Sequence, residues 1–180
     1  RSSNDGILLE NFARRNIRHL GVEPSANVAE EAFKKGVKSI CAFFDDNIAR
    51  QIVSESGQAD AILAANVMCH IPYLHSVAAG IKILLKPGGI FIFEDPYLGD
   101  IVEKTAYDQI YDEHAFYFSL QSIHHLFSQY DLEIIHTEPY KVHGGSMRYY
   151  ISHKGAKTRS SSVMTQIEKE SSLGLDQIKT

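Results

Sequence analysis

A turn of small and polar residues, Ser3-Asn4-Asp5-Gly6, runs straight into a segment of helical period, an arrangement in which backbone N–H groups at a helix start can approach a ligand. Seventeen positions after Gly6 comes Glu23, at the end of a short apolar run, where a carboxylate can accept hydrogen bonds from both hydroxyls of a ribose. Together they point to an adenosine-containing cofactor. A plainer assignment fits the same residues: Asn4 and Asp5 cap the helix, and Glu23 is a solvated loop charge. Phe43 and Phe44 follow the next apolar run, where the adenine of such a cofactor would lie; they either stack on the base or belong to the core. Asn66 and His70 close a fourth run, where cofactor and substrate meet in open α/β sheets, and His70 is equally a packing histidine. His143 and Arg148 flank Gly144-Gly145 and either face a substrate or phosphate or sit beside a strand-entry bulge.

These residues are placed by an alternation of short apolar runs with segments of helical period, the pattern of βαβ units around a largely parallel sheet. Helices are expected over residues 7–16, 25–35, 46–55, 74–84 and 120–129. Strands are expected over 19–22, 38–42, 61–65, 90–93, 133–140 and 147–153, the last two as an antiparallel pair. Residues 61–65 read as a buried strand, and 90–93 are so continuously apolar that they belong at the sheet centre. Lys86-Pro87-Gly88-Gly89 reads as a turn between helix and strand. Residues 94–118, rich in Tyr, Asp and Glu and without a clear period, read as a lid or substrate loop. The core thus spans 1–154, and 155–180 read as a polar linker and a weakly amphipathic helix leading to a further domain. A domain of this kind normally opens with an apolar strand before its glycine turn; here the turn comes almost at once, so that strand is expected to be missing.

The composition narrows the partners. With 180 residues, 44% hydrophobic and 22% charged, the chain suits one globular domain with a real core. A net charge of −4 with scattered Lys and Arg offers no field for nucleic acid. No run approaches the ~20 apolar residues that span a bilayer, and residues 1–6 are polar with no signal-peptide core, so no membrane partner and a cytoplasmic location are expected. Cys41 and Cys69 lie in apolar stretches without a CxxC spacing, the usage of reduced core thiols rather than of a disulfide or a metal site.

The Leu84-Leu85-Lys86-Pro87-Gly88-Gly89 turn before an apolar strand resembles the class I methyltransferases, and a nicotinamide enzyme would show a fuller GxGxxG. The resemblance sharpens to the deoxysugar C-methyltransferases through Ser3-Asn4-Asp5-Gly6, Val22-Glu23-Pro24-Ser25, Asn66-Val67-Met68-Cys69-His70-Ile71, Glu94-Asp95-Pro96-Tyr97-Leu98, Tyr107-Asp108-Gln109-Ile110-Tyr111-Asp112-Glu113-His114 and His143-Gly144-Gly145-Ser146-Met147-Arg148. It implies a Rossmann-like α/β sheet with helices on both faces and S-adenosylmethionine as cofactor, with S-adenosylhomocysteine as product. Asn4, Asp5, Gly6, Glu23, Pro24, Phe43, Phe44 and Asn66 would then bind the cofactor, and His70, Tyr97, His143 and Arg148 the substrate. Zinc would belong only to a separate cysteine-rich family domain. It further implies a nucleotide-linked keto-deoxysugar acceptor, methylated on the carbon beside the ketone, with His114 as base and Glu113 and Tyr111 beside it. The chemistry agrees, because a carbon nucleophile requires an enolate and hence a base, and an imidazole with a pKa of about 6.5 abstracts protons near neutrality. An O- or N-methyltransferase acting on another small molecule, or a cofactor-binding remnant without turnover, stands as the alternative.

Overall fold

The computed structural model describes residues 6–177, apart from the side chain of His143. In chain order the elements are α1 (Ile7–Ala13), β1 (Gly21–Val22), α2 (Ala26–Lys34), β2 (Ser39–Ile40), α3 (Asp46–Ser56), β3 (Ala59–Ala65), α4 (Leu74–Leu84), β4 (Leu85–Pro96), α5 (Leu98–Lys104), α6 (Leu120–Ser128), β5 (Leu132–Tyr140), β6 (Ser146–His153) and α7 (Ser161–Ser172). Three short 3-10 turns, Met68–His70, Tyr107–Gln109 and Val142–Gly144, sit in the connections. Local chemistry starts and stops these elements. The Asp45 carboxylate accepts the Ile48 N–H at 2.8 Å to begin α3, and Gly57, at φ +78°, ends it. Ser119 and Ser122 form a reciprocal capping box on α6. α4 buries Leu74, Val77, Ala78, Ile81 and Leu84, an apolar stripe of helical spacing. Gly80 on that helix lets α3 approach, since a Cβ there would lie 2.8 Å from the Asp45 carbonyl oxygen.

The main sheet has the order β3-β4-β6-β5, with β3 parallel to β4 and the other pairs antiparallel. β4 is central, as its apolar run requires, and Phe93 stacks on Tyr149 at 4.7 Å and on Phe91 at 5.3 Å. Residues 86–89 extend this strand rather than forming a separate turn, with Leu85 already paired to Ala59. β1 and β2 form a second, two-stranded parallel sheet. Between it and β3 lies an apolar cleft of about 920 Å³, lined among others by Leu9, Phe12, Leu20, Val22, Ile62 and Phe91. β3 is consequently not a buried strand. Ala61, Leu63 and Ala65 are exposed, because among the described residues no strand pairs with its second edge.

The aperiodic stretch after β4 contains α5 and the Tyr107–Gln109 turn, followed by an irregular loop to Phe118. α7 is packed onto the body of the molecule: Val163 joins the main core, and the fully buried Glu170 accepts the Leu120 and Gln121 N–H groups at 2.5 and 3.1 Å. It therefore completes the start of α6 from a distance of fifty residues in sequence. No described helix is long and apolar enough to cross a membrane.

Candidate active site

The ends of β1, β2 and β3 carry the residues expected at a cofactor. Asn4 and Asp5 lie outside the described residues. Gly6 starts α1 at φ +82°, and a Cβ there would meet Ala32 and Val37 at 3.1 Å, so only glycine allows the entry turn to sit this close to α2. Glu23 follows β1 and is 3% exposed; its Oε1 accepts the Ser25 N–H at 3.1 Å, which orients the carboxylate at the strand end. The Pro24 carbonyl accepts the Cys41 thiol at 3.6 Å. The aromatic pair divides: Phe43 is 67% exposed, whereas Phe44 packs on both hydrophobic clusters and touches the Gly80 position. A stacking surface for a base can come from Phe43, and Phe44 is core. Asn66 ends β3 at φ +51° and donates its N–H to the Glu94 carbonyl at 2.8 Å. A buried carboxylate after β1 and an exposed aromatic ring after β2 suit a ribose and a purine, and the glycine turn that opens α1 suits a close-lying ligand.

Beside Asn66, the Met68–His70 turn meets the loop that follows Gln109. The Cys69 carbonyl accepts the Ala115 and Phe116 N–H groups at 2.8 and 3.1 Å, and His70 Nδ1 faces the Glu113 carbonyl at 2.6 Å. His114 Nδ1 faces the Gln109 carbonyl at 3.2 Å. A carbonyl can only accept, so each imidazole in its neutral form holds its hydrogen on Nδ1 and a lone pair on Nε2. The His114 ring lies 5.0 Å from that of His70 and 4.1 Å from that of Tyr111. Burial, and secondarily the neighbouring His70, hold the His114 pKa below its ordinary value against the opposing Gln109 carbonyl and Glu113. The imidazole is thus a free base at neutral pH. Burial first, then Cys69, Glu113 and Tyr117, raise the Tyr111 phenol, which stays a hydrogen-bond donor. The donor atoms of Cys69, His70 and His114 lie within 4.8 Å of one another. Burial first, and then the adjacent Asp95, push the Cys69 thiol up, which favours its protonated form.

Two expected substrate residues have structural roles instead. Tyr97 is 1% exposed, its hydroxyl donating to Glu170 at 2.9 Å and accepting from Gln166, so its ring and hydroxyl belong to the anchor of α7. Arg148 places Nη2 and Nε on Glu94 at 2.8 and 3.1 Å and Nη1 on the Tyr140 hydroxyl at 2.8 Å, with its guanidinium over the Tyr140 ring. It clamps β4, β5 and β6 together and is not an open anion site. The His143 side chain lies outside the description. Cys41 is exposed and not a core thiol, because β2 is short and at the edge; Cys69 is buried. Reading the sequence also passes over Tyr117, whose hydroxyl donates to the Gln109 carbonyl at 3.1 Å and accepts the Tyr111 N–H at 3.3 Å. Asp95, fully buried between Glu94 and Pro96, is passed over as well. Tyr117 has no local signal, and Asp95, though it stands in the Glu94-Asp95-Pro96-Tyr97-Leu98 segment, is set apart only by the burial the fold gives it.

The C-methyltransferase NovU of Streptomyces niveus is 37% identical to this chain over 145 residues, which make up 81% of the chain and 34% of that protein. The chain thus spans about a third of this curated relative's length. Among solved structures, an S-adenosylmethionine-dependent methyltransferase from Anabaena variabilis superposes with a TM-score of 0.64 at 19% identity, over 84% of this chain and 74% of that one. The magnesium protoporphyrin IX methyltransferase of Synechocystis with bound SAH gives 0.61 at 16% identity, over 84% and 71%. At such identities the superpositions establish the fold. The methyltransferase-domain family matches residues 2–137, and with it the chain belongs to that family, built on the fold of the S-adenosylmethionine-dependent methyltransferases.

Proposed function

We propose that this domain binds S-adenosylmethionine and methylates carbon, with a nucleotide-linked keto-deoxysugar as acceptor. The observation that carries the reading is His114: a neutral imidazole with its Nε2 lone pair free, next to the end of β3 and beside a protonated phenol. The likeness to a C-methyltransferase supports it. Glu23 would hold the ribose hydroxyls, Phe43 the adenine face, and Asn66 the amino-acid end of the cofactor. When bound, the cofactor supplies an electrophilic methyl group on sulfonium. His114 removes the proton from the carbon beside the ketone, and Tyr111 donates a hydrogen bond to the enolate oxygen as charge develops there. His70 and Glu113 hold the loop, through the Glu113 carbonyl, so that the base stays in place.

The test uses the full-length protein. Glu23→Ala should weaken S-adenosylhomocysteine binding by about tenfold to a hundredfold in calorimetric titration, the scale of lost hydrogen bonds to a charged group. His114→Ala should leave that binding intact while lowering turnover on a nucleotide-linked 4-keto-deoxysugar by about a hundredfold or more. Retained turnover in His114→Ala would reject the base assignment, and unchanged binding in Glu23→Ala would reject the placement of the ribose.

A further inference from the structure

Asp95 takes no part in the chemistry described so far, yet it is a fully buried carboxyl group at the end of the central strand. Among the described residues neither of its oxygens has a partner at full hydrogen-bonding geometry. Burial pushes it up to about 7, against the Cys69 thiol and the backbone N–H groups of Cys69, Met68 and Val67, which favour its anion. On β6 the Tyr149 hydroxyl is likewise buried without a partner among the described residues, and burial, then Glu170, Tyr97 and Asp95, keep it neutral. A carboxylate kept from water with incomplete partners is costly. What faces it is the Met68–His70 turn, whose Cys69 carbonyl holds the reacting loop.

The links can be followed atom by atom. Asp95 lies against the N–H groups that open the Met68–His70 turn, donors that such a turn leaves without an intrahelical acceptor. The carbonyl of Cys69, on the far side, accepts the N–H groups of Ala115 and Phe116. His70 grips the Glu113 carbonyl at 2.6 Å, and His114 stands between these two attachments. We propose that Asp95 is a positioning residue: its buried carboxylate holds the 67–70 turn, and through that turn the 113–116 loop, in the register that sets His114 beside His70. This rests on the reading of His114 as the base only for its effect on turnover; the mechanical link stands apart from it.

The experiment compares Asp95→Ala and Asp95→Asn in the full-length protein by three readouts: the imidazole Cε1–H resonances of His70 and His114, S-adenosylhomocysteine affinity, and steady-state turnover. Asp95→Ala should shift both imidazole resonances and lower kcat about 30-fold or more, the scale of a reacting group displaced by less than an ångström, while cofactor affinity stays within about threefold. Asp95→Asn, which keeps one acceptor oxygen, should return the resonances and most of kcat. Unchanged resonances and kcat in Asp95→Ala would overturn the proposal. So would a joint loss of cofactor binding, turnover and cooperative melting in both variants, which would make Asp95 a core residue only. If His114→Ala proves fully active, the base assignment fails, and the imidazole resonances still decide whether Asp95 holds the loop.

Discussion

His114 owes its chemistry to two neighbours that the chain brings from different directions. The Gln109 carbonyl accepts the Nδ1–H hydrogen bond, and partial burial, with His70 adding to it, disfavours the imidazolium. The sign of the pH effect follows. A base with a lowered pKa is already deprotonated at pH 7, so kcat/KM of the full-length enzyme should be flat near neutrality, as far as this group is concerned. It should fall only as pH drops through a value below the ordinary 6.5. A limb centred clearly above 6.5 that vanishes in His114→Ala would contradict the assigned environment. At the same scale, Tyr117→Phe removes one donor to the Gln109 carbonyl and the acceptor of the Tyr111 N–H, both on an exposed loop. Turnover should fall several-fold, about 1 kcal/mol in transition-state terms, with cofactor affinity unchanged in titration.

Among the elements, α7 carries the clearest long-range dependence. Its residue Glu170 supplies the acceptors for the Leu120 and Gln121 N–H groups and for the Tyr97 hydroxyl, inside the core. Glu170→Ala should therefore lower the unfolding free energy by about 3 kcal/mol in urea, since a buried acceptor of three hydrogen bonds is lost and its donors stay buried. The neighbouring exposed Glu168→Ala should change it by less than about 0.5 kcal/mol. Equal effects would show that burial of Glu170 contributes nothing particular. From sequence alone this segment reads as polar, because its apolar stripe is short and the decisive contact is a carboxylate. Helices with a full apolar stripe are legible: α4 occupies residues 74–84 as its spacing requires. The segment 86–89 is not, since Pro and Gly read as a turn while the structure carries it as an irregularity within β4, between the pairs Ala59–Leu85 and Ala61–Ile90.

For the whole molecule, the cleft between the two sheets is the dominant feature. It leaves the edge of β3 unpaired, with Leu63 37% exposed, and such an edge invites pairing with another chain. The 180-residue chain expressed by itself should elute with a concentration-dependent associated fraction that Leu63→Lys reduces; a strictly monomeric parent would refute this. Apolar runs and helical periods by themselves determined the order of the elements other than α5, the central place of β4 and the class of fold, because burial acts on patterns that repeat along the chain. The acid–base types of His114 and Tyr111, and the glycine needed at position 6, are likewise properties of single residues. Only the tertiary structure decided that Arg148 is a strand clamp, that Tyr97 and Glu170 share a buried bond, that Phe43 and not Phe44 is open, and that Asp95 lies under the His70 turn. Each of these depends on hydrogen bonds or burial between segments tens of residues apart, and no local pattern encodes which partner a polar side chain will meet.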